Sequence, residues 1–142
     1  MGLLASLVWS YANCPDVSLR DPKKALMLAR RLVAMPANSL RPVIRGRLGA
    51  ALYRAGRPLE ALPELKAHLS AAGDGVAGAE LRFLAAMAAH ETGDKAVARE
   101  WYDQAVAWME SHKHDEWMKR FRAEAEEVLG ISAEEAKNKA TR

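Results

Sequence analysis

The chain has 142 residues, about the length of one domain, and half of them are hydrophobic, so a core can form. Charged residues make up 27% and the net charge is +3, a composition that excludes a disordered chain. Its apolar runs are shorter than the ~20 residues that cross a bilayer, and its single cysteine, Cys14, cannot form an internal disulfide. We therefore expect a cytoplasmic protein that has no membrane partner.

The composition predicts an all-helical chain. Helix-forming residues dominate, and apolar positions recur every three or four residues, which is the helical period. Asp21 and Pro22 together mark a helix start, whereas Gly56 and Gly93 mark helix ends, because glycine adopts positive φ without strain. The predicted helices span residues 3–12, 22–35, 42–55, 58–71, 77–92, 94–111 and 115–129. Residues 1–130 are expected to form one helical repeat domain, and the polar residues 131–142 a frayed helix or a disordered tail.

A helix–turn–helix spacing recurs along the chain. Gly56 and Gly93 lie 37 residues apart, and each is followed five residues later by an alanine, Ala61 or Ala98. Ala25 occupies the matching place one unit earlier, 36 residues before Ala61. Because small side chains let two helices approach closely and glycine allows the turn between them, the spacing predicts helical hairpins stacked in series.

The residues that carry this pattern are small, apolar or aromatic: Leu48, Gly49, Gly56, Ala61, Gly93, Ala98, Tyr102 and Ala105. With them, the chain resembles the tetratricopeptide repeat (TPR), a helical hairpin of about 34 residues with small-residue positions and a glycine turn. The resemblance covers residues 3–129. Within the family, the chain is similar to a bacterial subgroup that is often the C-terminal part of larger signalling proteins. It implies an all-α fold, an α-solenoid of about three hairpins plus a C-terminal capping helix.

The sequence departs from the family's pattern in three ways. Arg45 and Arg82 stand where the family usually has a large aromatic residue, and Ala85 and Ala86 replace its usual Leu-Gly pair. Pro63 falls inside the fourth helix, where it removes one backbone hydrogen bond and favours a kink. A generic helical bundle stays open as the alternative fold.

The charge is unevenly distributed. Residues 22–59 contain nine basic and no acidic side chains, so the remainder of the chain carries −6 against a total of +3. The basic stretch is either a solvated face, a surface for an acidic or phosphorylated peptide, or a contact with the acidic part of another copy. Nucleic acid is a weaker expectation, because the stretch lacks interleaved aromatic residues.

In the TPR family, the first helix of each hairpin lines a concave groove, which implies a set of partner-binding residues here. They are Trp9, Arg45, Arg47, Tyr53, Arg54, Phe83, Met87 and His90, with Gly46 and Ala50 in neighbouring positions. Aromatic and methionine side chains suit an adaptable binding surface. The alternative is that Trp9, Phe83 and Met87 belong to the core. Gly46 and Ala50 stand where one family subtype has a Lys and Asn clamp for a C-terminal carboxylate, which argues against that binding mode.

No group of residues indicates catalysis. His112, His114, Asp115 and Glu116 form a polar cluster between two helices, but they lack the fixed spacing of a metal site, and Cys14 has no base nearby. We expect no enzyme activity, no metal and no cofactor. The favoured function is a non-catalytic interaction module or scaffold that binds a peptide or helix of a partner protein in its groove. The alternative is a structural segment that self-associates through its basic and acidic parts, as a homo-oligomer.

Overall fold

The computed structural model describes residues 2–36, 41–72, 76–112 and 116–140. Within these ranges the chain contains eight α-helices, one short 3-10 helix (Val17–Leu19) and no β-strand. The all-α prediction is confirmed, and the seven predicted helices recur with ends shifted by a few residues at most. The helices are α1 (Gly2–Asn13), α2 (Pro22–Ala34), α3 (Pro42–Arg54), α4 (Pro58–Ala72), α5 (Val76–Glu91), α6 (Lys95–Ser111), α7 (Glu116–Leu129) and α8 (Ala133–Ala140).

Helix starts follow from local side-chain chemistry. Asp21 Oδ1 accepts a hydrogen bond from the Lys24 amide at 3.0 Å at the start of α2, and Asp94 plays the same part for α6. The start of α3 differs, because its N-cap residue is Arg41, whose guanidinium donates hydrogen bonds and accepts none. The backbone of Arg41 is nevertheless extended, as at an ordinary N-cap.

Three helices end in one and the same geometry. Gly56, Gly93 and Gly130 have φ of 78°, 95° and 70°, and the amide of the residue after each glycine donates to the carbonyl five residues earlier at 2.9 Å. This is the Schellman motif, which needs a residue that tolerates the left-handed region. Gly130 lies as far beyond Gly93 as Gly93 lies beyond Gly56, so the 37-residue spacing continues to the end of α7.

The helices form two compact units, Met1–Gly73 and Asp74–Arg142 (units 1 and 2). In unit 1, α1 pairs with α2, α3 packs against both, and α4 packs along α3. In unit 2, α5 pairs with α6, and α7 packs against both. Each unit therefore contains a helical pair followed by a helix that contacts both of its members.

The pair α3 and α4 approaches closely at Gly49. A Cβ atom at this position would lie 2.7 Å from Leu65 Cγ and 3.1 Å from the Leu65 amide nitrogen. Leu65 itself is fully buried, as is Ala61 one turn earlier. α4 continues through Pro63, which faces away from this contact on an exposed position. The small residue in the Leu48-Gly49 pair is therefore required by helix packing.

Polar contacts fix the same two helices at the start of α3. Arg45 donates two hydrogen bonds to the Glu64 carboxylate, at 2.7 and 3.2 Å. His68 is buried, and its Nδ1 lies 3.0 Å from the Pro42 carbonyl oxygen, which can only accept, so Nδ1 carries the ring proton. Arg45, which the sequence analysis assigned to a partner, thus has an intramolecular role between α3 and α4.

The core of unit 2 is built around Tyr102. Its ring meets that of Phe83 edge-on, with 6.0 Å between centroids, and its hydroxyl donates to Glu126 Oε2 at 2.5 Å. Arg122 Nε donates to the same carboxylate oxygen at 3.2 Å. These contacts connect α5, α6 and α7.

The segment predicted as a polar tail contains α8. Ser132 Oγ accepts from the Glu135 amide at 3.1 Å and so caps the start of this helix. Arg122 Nη2 donates to the Ala136 carbonyl at 3.2 Å, and Arg99 pairs with Glu135 at 3.5 Å. The last two residues, 141–142, lie outside the described ranges.

Gly49→Ala is expected to lower the free energy of unfolding by about 1 kcal/mol. Overpacking against Leu65 costs about 1–3 kcal/mol, and alanine returns up to about 1 kcal/mol through its helix propensity. Urea unfolding followed by circular dichroism measures the difference. In a double-mutant cycle with Leu65→Ala, the combined substitution should cost about 1 kcal/mol less than the sum of the two single ones. Additive costs would contradict the close-contact explanation.

Tyr102 should make stability fall at alkaline pH. Burial, and next the hydrogen bond to Glu126, raise the pKa of Tyr102 well above its ordinary value of 10.0. Because the folded chain holds this proton more tightly, the stabilisation is complete below the unfolded-state pKa and is lost as pH rises above it. Urea unfolding between about pH 9 and 12 should show a steeper loss in the wild type than in Tyr102→Phe, with Tyr53→Phe as the control. Parallel curves for the wild type and Tyr102→Phe would refute this.

Candidate functional site

The structure divides the eight predicted contact residues between the two units. Five of them lie on α1 and α3 of unit 1, and three, Phe83, Met87 and His90, lie on α5 of unit 2. Phe83 and Met87 have no exposed surface, so they belong to the core and do not line an open groove. The physical reason is that α5 packs against both α6 and α7, and its central turns are apolar on every side. His90 is half-buried near the end of the same helix.

Two predicted residues meet where α1 packs on α3. The guanidinium of Arg47 lies over the Trp9 ring, 4.4 Å from its centroid, and both residues are half-buried. A cation over an aromatic face is attracted by the ring quadrupole and gains more when it is partly desolvated. The contact therefore holds the Arg47 head group in one place on this surface.

Further along the same two helices, Arg54 is held by a buried amide. Its Nε donates to Asn13 Oδ1 at 2.9 Å, and its guanidinium carbon lies 5.7 Å from the Tyr53 ring centroid. Asn13 is buried at the end of α1, a position that the sequence analysis did not single out. The α1–α3 face is defined here by Trp9, Arg47, Tyr53, Arg54 and Asn13. On it, Arg47 contacts the Trp9 ring and Arg54 contacts the Asn13 amide.

A groove, here called the α1–α3 groove, lies at the starts of these two helices. It is open, has a volume of about 460 Å³, and is lined mainly by aliphatic groups. α1 contributes small residues such as Ala5, α3 contributes Val43 and Ile44, and Arg41 and Arg47 add positive charge. Its size is typical of sites that bind small molecules or side chains. Of its lining residues, the sequence analysis proposed only Arg47.

Exposed apolar surface is concentrated in unit 1. Among the described residues, every exposed large hydrophobic side chain belongs to that unit: Leu3, Leu7, Val17, Leu19, Met27, Met35, Val43 and Leu59. Contiguous exposed apolar surface marks contact sites more often than scattered single residues do. One of these exposed side chains, Val43, also lines the α1–α3 groove.

The division of charge follows the division into units. Unit 1 contains eleven Lys and Arg and four Asp and Glu, a net charge of +7. Unit 2 contains ten basic and fourteen acidic residues, a net charge of −4, and the two add to the +3 of the whole chain. The field around unit 1 therefore attracts anionic groups.

Unit 2 has a shallower groove of its own, of about 380 Å³, lined by residues such as Arg82, Trp108 and His112. The Trp108 and His112 rings stack in parallel with 4.3 Å between centroids, and His112 Nδ1 lies 2.9 Å from the Trp108 carbonyl oxygen. The sequence analysis grouped His112 with His114 and Asp115, but these two residues lie outside the described ranges. Elsewhere in the described chain, no three His, Cys, Asp or Glu side chains are grouped so that they could hold a metal ion.

None of the helices in the described ranges combines the length and the apolar character needed to cross a bilayer. Comparisons with protein-family models, curated proteins and solved structures find no match to this chain. The chemistry of its own surfaces is thus the basis for assigning a function.

Arg41→Ser should stabilise the protein by about 0.5–1 kcal/mol, because the serine oxygen can accept a first-turn amide of α3 and the cation leaves the positive end of the helix. Urea unfolding measures the change. Asp21→Ala, which removes the existing cap of α2, is the matched control and should cost about 1 kcal/mol. A loss of stability in Arg41→Ser would show that the other contacts of Arg41 outweigh its poor capping.

Proposed function

We propose that this chain is a TPR-like interaction module that binds an acidic segment of another protein on the α1–α3 face of unit 1. The observation that carries the proposal is the pair of arginines on this face, Arg47 over Trp9 and Arg54 on the Asn13 amide, in a unit of net charge +7. An arginine that is already held in place loses less conformational entropy when it binds a carboxylate. Carboxylates are bound by the guanidinium through paired, charge-assisted hydrogen bonds.

The solenoid part of the proposal is supported by repetition within the chain. Each unit contains a helical pair followed by a helix that packs on both members, which is how stacked hairpins bury a continuous core. The three left-handed glycines recur at 37 residues and end their helices with the same hydrogen bonds. α7 ends in the same turn as α3 and α5, the first helices of their pairs.

Self-association is the second candidate, and the opposite charges of the two units favour it. A basic unit 1 of one copy would meet an acidic unit 2 of another, which gives a head-to-tail contact. The α1–α3 face would then bind the same kind of carboxylate surface, provided by a second copy. The oligomeric state in low and in high salt separates the two candidates.

A peptide array tests the main proposal. The full chain is applied to a membrane that carries acidic, neutral and basic peptides, in about 50 mM and about 500 mM salt. We expect binding to favour peptides rich in aspartate and glutamate and to weaken in high salt. The double variant Arg47→Gln/Arg54→Gln should lose binding at least about tenfold, because each charge-assisted hydrogen bond contributes about 1.5–3 kcal/mol.

The matched control is Arg30→Gln/Arg31→Gln. It removes the same number of charges from the same acid-free stretch, at exposed positions of α2 away from the α1–α3 face. It should retain binding within about threefold of the wild type, which corresponds to the small effect of a peripheral charge. Equal losses in both double variants, or no preference for acidic peptides, would count against the proposal. Circular dichroism checks that both variants are folded.

A further inference from the structure

We infer that the α1–α3 groove is an anchor pocket that takes one apolar side chain, of leucine or phenylalanine size, from an internal partner segment whose neighbouring residues are acidic. The inference rests on the proposed function and names the kind of segment that the module would select. Two features of the groove carry it, its aliphatic lining and the charge around it. A third feature, the choice of residue at the start of α3, agrees with it.

The lining of the groove suits an apolar anchor. At about 460 Å³ it has room for an entire large side chain, and Val43 and Ile44 of α3 face small residues of α1 across it. Val43 keeps 53% of its surface exposed, although it belongs to the uninterrupted first turn of a helix. Burial of this surface by a partner side chain would be favourable in proportion to the apolar area removed from water. Interface anchors of this kind dominate binding when they fill a pocket completely.

The charge around the groove selects what flanks the anchor. Arg41 and Arg47 line it, and the stretch 22–59 that contains α3 has no acidic side chain. Carboxylates next to the anchor would lie within reach of two guanidinium groups, whereas lysine or arginine there would be repelled. The pocket and its surroundings therefore favour one chemical class, an acidic segment with an embedded apolar residue.

Arg41 supports this reading because its position is unfavourable for the helix itself. At the N-cap of α3 a Ser, Asp or Asn would satisfy first-turn amides, and a cation there opposes the helix dipole. α2 and α6 have Asp21 and Asp94 in the equivalent place, whereas α4, like α3, follows an arginine, Arg57. Local rules of this kind are broken most often at functional sites, and Arg41 is the one of the two arginines that lines the groove.

Nucleic acids and anionic membranes would also be attracted by the positive unit, but they fit this site less well. Single strands bind through bases stacked on open aromatic faces, and here one face of the Trp9 ring is covered by Arg47. A membrane surface is entered by protruding apolar groups, whereas the aliphatic groups at issue line a concavity. An extended or helical peptide can place a single side chain into such a groove.

Fluorescence anisotropy with three synthetic peptides tests the inference on the full chain. Each has about a dozen residues and blocked ends, so that no terminal carboxylate is present. The first has a leucine and a phenylalanine between glutamates, the second has alanines in place of these two, and the third has glutamines in place of the glutamates. We expect the first to bind at least about tenfold tighter than either of the others, since both the anchor and the charge contribute.

Val43→Glu and Met27→Glu form the matched pair of variants. Both add one negative charge at an exposed hydrophobic position of the acid-free stretch, Val43 in the groove and Met27 on α2. Val43→Glu should weaken binding of the first peptide at least about tenfold, whereas Met27→Glu should change it less than about threefold. Glutamate is well tolerated in the first turn of a helix, so Val43→Glu should remain folded.

The outcomes separate the two proposals. If the second peptide binds as tightly as the first and both variants behave alike, the anchor pocket is overturned while binding of acidic segments stands. If neither glutamate-containing peptide binds better than the third, the proposed function fails as well. A DNA fragment or phosphatidylserine vesicles that bind in a Val43-dependent way would overturn the peptide assignment. Light scattering that shows a dimer in low salt and a monomer in high salt, with the dimer lost in Val43→Glu, would replace the peptide by a second copy.

Discussion

The missing side chain of Gly49 lets Leu65 of α4 lie against the backbone of α3, and the polar contacts between these two helices depend on that close approach. In this arrangement Arg45 donates two hydrogen bonds to the Glu64 carboxylate, and His68 Nδ1 lies at hydrogen-bonding distance from the Pro42 carbonyl oxygen. Those bonds fix the first turn of α3, which is one wall of the α1–α3 groove. A packing constraint in the middle of a helical pair thus influences the shape of a neighbouring surface on the same helix, because α3 is a rigid element.

Much of the fold can be predicted from the sequence, because the residues within one turn of a helix end determine where the helix starts or stops. The aspartate at a helix start and the glycine at a helix end act within one turn, so a single sequence reveals them. Which residues of α5 are buried in the core could not be predicted in this way. Its central turns are apolar on every side, so periodicity does not distinguish a groove position from a core position, and only the structure shows that Phe83 and Met87 lie in the core. The intramolecular contact of Arg45 could not be predicted either, because its carboxylate, Glu64, lies 19 residues away on another helix.

The candidate site was predictable only in part, for a related reason. Trp9 and Arg54 were named because of the family resemblance and Arg47 because it belongs to the acid-free basic stretch, and all three have contacts on the α1–α3 face. The groove beside them forms where α1 packs against α3. No short sequence pattern reveals such a contact between helices that are distant in the chain. Arg41 was one available signal, since an arginine before a helix-starting proline breaks the capping rule that Asp21 and Asp94 obey. Arg57 before Pro58 of α4 breaks it in the same way, so this signal did not by itself identify the groove. Exceptions to local rules are thus worth as much attention in a sequence as the rules themselves.

The even spacing of the left-handed glycines makes the helix ends at Gly56, Gly93 and Gly130 chemically equivalent. If residues 57–93 were absent, Gly56 would be followed directly by Asp94, and the Asp94 carboxylate would still accept from the Val97 amide at the start of α6. The turn would remain chemically complete, with a left-handed glycine, a helix cap and no orphaned amide. Gain or loss of one 37-residue segment leaves every junction in register, whereas an insertion of another length between the glycines disturbs one. A chain of this kind can change its number of helices without first evolving a new turn.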